Sequence, residues 1–363
     1  MQEIAQIVKA YEMARKQGKK TSLATVVHVS GSSYRRPGAR MLVTEDGEMT
    51  GAISGGCLEG DALRKAALAI SQAKNKLVIY DTTDEDDAKL GIQLGCNGIV
   101  SIMFEPILDG AENNPIISLS NTISERTPSL IFTIFSKDHQ KQLGTFSLST
   151  LPSFIKELIA DDISQVIDSR KSLHKDLFFE ENKNHCFIEF CEPTISLVIV
   201  GAGNDAMPLA KIAAVIGWNI TIVDGRLTHA NKQRFPSISE IKVGKPHDVI
   251  DQVFIDERTA FVLMTHNYNY DLSILESLRG KGFGYIGLLG PASKRDRMFS
   301  ELVQKDIVFT DYEKKKMFGP TGLDLGAETA EEIALSICSE IMSFINNSSA
   351  IKLREKLEPI HQV

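Results

Sequence analysis

Long apolar runs are missing from this 363-residue chain. No stretch approaches the ~20 residues a membrane-spanning helix needs, so no membrane contact is expected. Cysteine is scarce and scattered: Cys57, Cys96, Cys186, Cys191 and Cys338 form no CxxC pair. That spacing suggests neither a structural zinc site nor a disulfide framework. Positive charge is not in excess, since 40 Lys and Arg against 47 Asp and Glu leave a formal net charge of −7. A general nucleic-acid binder relies on cations that neutralise phosphates, so that class is excluded while a small basic pocket is not. The opening Met1-Gln2-Glu3-Ile4 lacks a basic segment followed by an apolar one. No signal peptide is expected, and the chain reads as cytoplasmic. What is present, 43% hydrophobic and 24% charged residues, is the composition of a soluble globular protein. Its length suggests two domains at roughly 150 residues each.

Periodicity predicts a helix over 4–15, a β-branched strand over 23–29, a Gly/Ser/Arg/Pro loop over 31–38 and a second strand over 39–44. Glu45-Asp46-Gly47 then makes a hairpin. A helix is expected over 58–73, with strands over 76–80, 99–104, 130–135 and 186–190. The polar stretch 106–184 is expected to be β-rich with one helix near 152–159. After Pro193 the character changes. Residues 195–200 are continuously apolar, as a buried parallel strand should be. A glycine turn, a helix to Gly217 and a strand over 218–223 follow, with further strands over 261–265 and 284–288. The expected fold class is α/β: an N-terminal α/β domain over 1–193 and a Rossmann-like, doubly wound parallel sheet over 194–363.

The turn after the first apolar strand reads Gly201-Ala202-Gly203-Asn204-Asp205-Ala206. Gly201 permits the tight turn, Gly203 lets backbone N–H groups approach a pyrophosphate, and Ala206 still allows close helix–strand packing. Asp224, at the end of the next strand, is placed to bind ribose hydroxyls. Arg226 leaves NAD and NADP both open. The competing interpretation is a scaffold without its nucleotide. His266 falls at the carboxyl end of another strand, where it could touch a ligand or cap the strand. Gly287 and Gly290, with Lys294 and Arg295 beyond, form a second glycine-rich turn that could meet phosphate. Thr329-Ala330-Glu331-Glu332 reads as a capping box.

Three features stand out in the first hundred residues. The loop Gly31 to Arg40 concentrates Arg35, Arg36 and Arg40, whose planar forks suit phosphate or carboxylate; the plain alternative is a solvated basic loop. Ser54-Gly55-Gly56-Cys57-Leu58-Glu59 places a thiol at the mouth of a helix, where the dipole favours the thiolate as nucleophile or soft-metal ligand. A small buried cysteine filling a gap is the alternative. Cys96 is flanked by Gly95 and, beyond Asn97, by Gly98. Cys186, Cys191 and Cys338 read as packing residues.

Taken together, Gly31 to Arg40, Ser54 to Gly60 and Gly95 to Gly98 resemble the N-terminal domain of the XdhC/CoxI family. Gly201 to Ala206, Met264-Thr265-His266, Tyr285 to Gly290 and Thr321 to Thr329 with Glu331-Glu332-Ile333 resemble its C-terminal partner domain. The chain departs from the family at Asn204, where a histidine is usual, and at Asn97, where a glycine is usual. The resemblance implies an accessory protein that binds molybdenum cofactor (molybdopterin), assists its sulfuration and inserts it into a xanthine-dehydrogenase-type molybdenum hydroxylase. It further implies contact with a cysteine desulfurase and a homodimer. In that setting Arg35, Arg36, Arg40, Gly55, Gly56, Cys57, Glu59 and Cys96 are the candidate cofactor-binding residues, with Cys57 the candidate metal ligand. The candidate dinucleotide site comprises Gly201, Gly203, Asn204, Ala206, Asp224, Arg226, His266, Gly287 and Gly290. Two other functions fit parts of the chain: an NAD(P)-dependent small-molecule oxidoreductase, and a non-catalytic redox or metabolite sensor. The former lacks an evident Tyr/Lys or His/Asp hydride-transfer set and leaves the arginine loop and the two glycine-flanked cysteines unassigned.

Overall fold

The computed structural model describes residues 1–56, 58–81, 98–111, 113–138, 140–238 and 240–356. The chain divides into two compact units, Met1–Pro193 and one beginning at Thr194.

In the first unit, α1 (Gln2–Lys16) buries Ile4, Ile7, Tyr11 and Ala14, one stripe at helical spacing. β1 (Thr21–Gly31) pairs with β2 (Arg40–Thr44), which turns into β3 (Met49–Gly51) at Gly47, φ +92°. α2 (Glu59–Gln72), β4 (Lys76–Asp81) and β5 (Gly98–Ile107) follow, and the sheet runs β3-β2-β1-β5-β4, antiparallel throughout. α2 covers one face, setting Ala62, Ala66 and Ala69 against Val26, Met41, Ile102 and Phe104. Small side chains on the helix let it approach the strands closely.

Next come α3 (Pro115–Ser124), β6 (Ser129–Phe135), β7 (Gly144–Ser147), α4 (Ser153–Leu158), α5 (Ala160–Ser169), β8 (Leu173–Phe179) and β9 (Asn182–Cys191). They build a second antiparallel sheet, β7-β6-β9-β8. Ile155 of α4 and Val166 of α5 pack on Phe132, Ile134, Cys186 and Ile188. Alternate residues of the same strands point the other way and meet the first sheet, with Val27, Met103, Phe135 and Phe187 in one cluster. The register of β1 against β5 slips between Val26 and His28, a bulge that sends both Val27 and His28 into this layer.

The stretch 106–184 therefore carries three helices where one was expected. The signal for α3 is nonetheless present in the sequence: the Asn114 side chain accepts from the Ile116 N–H, and Pro115 occupies the first turn. α5 follows α4 across Ile159 alone, so the two read in sequence as one short helix with a polar tail.

The second unit contains β10 (Ser196–Val200), α6 (Ala206–Val215), β11 (Asn219–Asp224), β12 (Glu240–Val243), α7 (Pro246–Ile250) and β13 (Thr259–Leu263). It continues with α8 (Tyr268–Leu278), β14 (Tyr285–Leu288), α9 (Ala292–Gln304), α10 (Asp311–Lys314), β15 (Met317–Phe318) and α11 (Ala330–Ile345). The sheet is parallel and ordered β12-β11-β10-β13-β14-β15. This is the expected doubly wound Rossmann architecture. Leu197 and Ile199 enter the core beneath α6 and α11, whereas Val198 and Val200 enter the core beneath α8. Burial on both faces explains why the run is apolar without alternation. Strand order reverses between β10 and β13, which opens a crevice at their carboxyl ends. Thr329 and Glu332 do form a capping box, each side chain accepting from the other residue's N–H.

Candidate functional site

The arginine loop and the glycine turn of the first unit come together. The Tyr34 ring lies over Gly55, where an added Cβ would stand 3.3 Å from Cγ of the ring. Gly56 takes φ +108° and has no neighbour within 4 Å of such a Cβ, so its peptide faces open space. Glu59 holds the turn in shape. It accepts from the Ser54 N–H at 3.1 Å and the Ser54 hydroxyl at 2.5 Å, while Ser54 Oγ accepts from the N–H groups of Gly56 and Leu58. Glu59 thus braces the turn, and the N–H groups of Ser54, Gly56 and Leu58 are satisfied within it. Cys57, Cys96 and Asn97 lie outside the described residues.

The three arginines have three different fates. Arg40 is 1% exposed, and its guanidinium donates to the Gly38 carbonyl at 2.9 Å and to both oxygens of Glu189. Its charge is met inside the protein, between β2 and β9. Arg35 donates to both oxygens of Glu3, which also accepts from the Ala52 N–H, so it ties α1 to the chain after β3. Arg36 is exposed and enters no ion pair among the described residues. Of the three, it is the cation left for an anionic ligand.

At the crevice of the second unit, Gly201 takes φ +119°, and an added Cβ would stand 2.7 Å from the Met264 carbonyl oxygen. The glycine is required by the close approach of the loops after β10 and β13. A Cβ on Gly203 would meet only the Asp205 side chain. Asp224 is nearly buried and already hydrogen-bonded by its own chain. Oδ1 accepts from the Arg226 N–H and Nε at 2.9 Å each; Oδ2 accepts from the Arg226 guanidinium and the Ala202 N–H at 2.8 Å each. Burial alone would raise this carboxyl, but those donors outweigh it and hold it below its ordinary value. The acid that would take ribose hydroxyls is therefore occupied.

Arg234, which sequence reasoning passed over, reaches back to the Ala202 carbonyl at 3.3 Å and to Asn204 Oδ1 at 3.0 Å. It lies 30 residues from Asn204, beyond any local pattern. His266 is largely exposed, with φ +45° and Nε2 3.4 Å from Asp205 Oδ2. Ala206 packs in the core. Gly287 gives room to Thr321 and to the Tyr285 ring, and Gly290 to the Lys294 stem. Lys294 donates to the buried Asp271 at 2.8 Å, and Arg295 pairs with Asp296. These basic residues are engaged within the protein. Among the described residues no group of three His, Cys, Asp or Glu side chains could hold a metal, and no helix is long and apolar enough to cross a membrane.

Comparison with known proteins adds a consistent picture. Residues 197–341 match the model for the XdhC Rossmann domain, and residues 14–81 that for the XdhC and CoxI family. The chain is 30% identical to a probable xanthine dehydrogenase subunit of Bacillus subtilis, over 88% of this chain and 92% of that one. It is 25% identical to the molybdenum cofactor insertion chaperone PaoD of Escherichia coli, over 90% of this chain and 84% of that protein. Among solved structures, a Bacillus halodurans protein described as a xanthine dehydrogenase is 26% identical, covers 95% of this chain and 97% of its own, and superposes with a TM-score of 0.73.

Proposed function

The chain belongs to the XdhC/CoxI family, and from that premise we propose that it binds molybdenum cofactor, assists its sulfuration and inserts it into a xanthine-dehydrogenase-type enzyme. The likeness to an insertion chaperone over 90% of this chain, both units included, is the observation that carries this reading. In it, residues 1–193 handle the cofactor and residues 194–363 form the Rossmann partner domain. The client hydroxylase, a cysteine desulfurase as sulfur donor, a second copy of the chain and a cytoplasmic setting belong to the same proposal.

Three observed features are consistent with this reading. Arg36 is an exposed cation suited to a phosphate, Gly56 leaves open space beside the turn, and Glu59 with Ser54 holds the turn in shape. The reading assigns no step to a nicotinamide dinucleotide, because Asp224 is taken by Arg226 and Ala202.

The test begins with protein purified from cells that make the cofactor, oxidised to release its fluorescent pterin. Bound pterin, and activation of the apo-hydroxylase on mixing, are expected. Protein that carries no pterin and leaves the client inactive would overturn the reading. Arg36→Ala should load less cofactor at low salt, and the deficit should shrink at high salt, where screening already weakens the wild type. Equal loading at low salt would remove Arg36 from the site.

A further inference from the structure

β4 ends one side of the first sheet: it pairs with β5, and among the described residues no strand lies on its other side. A cavity of about 560 Å³ adjoins it. Four consecutive residues of the strand, Lys76, Leu77, Val78 and Ile79, line that cavity. Successive side chains of a strand point to opposite faces, so a cavity over one face would meet alternate residues only. This one follows the edge, where a terminal strand carries its outward N–H and C=O groups.

The edge has a wall on each side. Val78 packs with α2, and Lys65, Leu68 and Gln72 of that helix, spaced by three and four, form the first wall. Leu77 packs the other way, against the cluster of Phe135 and Phe187, and the turn after β6 forms the second wall with Ser136, Lys137 and Gln142. Asn75 holds that turn in place by donating to the Gln142 and Leu143 carbonyls at 3.3 Å each. The result is a groove with an open strand along its floor.

Its lining is basic on both sides. Lys65, Lys74, Lys76 and Lys137 face it, and Asp138 is the single acid among its described lining residues. None of the four lysines enters an ion pair among the described residues. In a chain of net charge −7, so local a cluster of one sign draws anionic groups. Leu68 and Ile79, 40% and 47% exposed, add apolar spots between the charges.

We propose that this groove receives an extended acidic segment of a partner protein, which joins the sheet as a strand beside β4. In strand addition the backbone hydrogen bonds supply affinity and the flanking side chains choose the partner. Side chains of an added strand face the two walls in turn, so acids at either set of alternate positions meet a lysine. A second copy of β4 would set Lys76 against the same lysines, and like charges across a strand pair repel. None of these residues belongs to the cofactor site proposed above.

The test is fluorescence anisotropy of the full chain at low salt with a labelled, capped six-residue peptide of alternating Glu and Thr, equal to β4 in length. It should bind, and less tightly as salt rises. A peptide with Lys in place of Glu should not bind. One with Pro in place of Thr loses those N–H donors and should bind at least about tenfold more weakly. Lys65→Ala/Lys74→Ala/Lys137→Ala leaves the strand intact and should weaken the acidic peptide about tenfold, the combined scale of several exposed ion pairs. Hydrogen exchange at the amides of 76–81 should slow when the peptide is bound. No binding at millimolar concentration would overturn the site, and equal binding of the lysine peptide would overturn its charge preference. A proline peptide that binds as tightly, or unchanged exchange at β4, would overturn strand addition. Single-stranded oligouridine bound more tightly than the acidic peptide would hand the lysines to nucleic acid instead. The chain has an acidic run of its own in sequence, Asp84-Glu85-Asp86-Asp87. If the peptide binds only after Asp84→Asn/Glu85→Gln/Asp86→Asn/Asp87→Asn, the partner assignment falls.

Discussion

Asp224 sits where a ribose-binding acid belongs, yet Arg226 and the Ala202 N–H already engage both of its oxygens. Arg226, two residues on, folds back as a fork, and a fork matches a carboxylate in a way a lysine's point charge cannot. Arg226→Ala should therefore release Asp224 and strengthen NAD binding by about tenfold, the scale of one or two charge-assisted hydrogen bonds. Titration of wild type and variant with NAD checks this. If the variant takes up no more NAD than wild type, self-pairing is not what closes the site. Arg40 teaches the same lesson in the first unit. Its type and neighbourhood in sequence point to an anionic ligand, while its burial hands that role to Glu189.

Between the two sheets of the first unit, elements are joined by polar groups as well as by apolar clusters. Arg40 of β2 and Glu189 of β9 form the main ionic link. Glu189→Ala would leave a buried, unpaired guanidinium and should cost about 3–5 kcal/mol, whereas Arg40→Met with Glu189→Leu should cost far less. Urea unfolding followed by circular dichroism distinguishes the two, and equal losses would mean that burial of charge is not the cause. Nearby, the bulge in β1 places His28 against His174, their rings 5.4 Å apart. Burial lowers His28 to about 4, with Lys137, His174 and His185 acting in the same direction and Asp176 opposing. An unfolded histidine titrates near 6.5. Between those values the unfolded chain binds a proton that the native unit refuses, so stability should fall as pH drops from about 6.5 to 4 and then level off. The urea midpoint measured across that range should drop, and His28→Asn should flatten the slope. An unchanged slope would assign the effect elsewhere, His174 being the next candidate because burial lowers it too.

Over the whole molecule, the thiols among the described residues share one character. Cys186, Cys191 and Cys338 are buried and free, and burial raises all three, Cys186 and Cys338 to about 12. Their burial fits packing residues, the role the sequence suggests from the apolar runs around Cys186 and Cys338 and the strand end at Cys191. Cys57, which follows Gly55 and Gly56 in the sequence, is the candidate thiol for the cofactor on its sequence neighbours alone. Cys57→Ala should lower cofactor retention and client activation, and Cys338→Ala in the Rossmann unit should lower neither. Released pterin fluorescence and hydroxylase activity, measured on both variants, decide it; equal behaviour would take Cys57 out of the site.

The sequence by itself determined four of the six strands of the Rossmann sheet and most of the first sheet. Their signals are local: a doubly buried apolar run at 195–200, a turn at Gly201, a hairpin at Gly47, a helix after the Ser-Gly-Gly turn. It also carried family membership, because several short motifs recur in order. Only the tertiary structure decided which candidate side chains remain open to a ligand. Arg36 and Arg40 are four residues apart and chemically identical, yet β2 buries one against a residue 149 positions away while the other stays exposed. Short strands such as β12 and β15 were missed for a related reason: four and two residues are too few for a period, and pairing with a neighbour is what makes them strands. Local pattern fixes what a segment can become. Whether a charge ends up paired, buried or free depends on which distant segment the fold sets beside it.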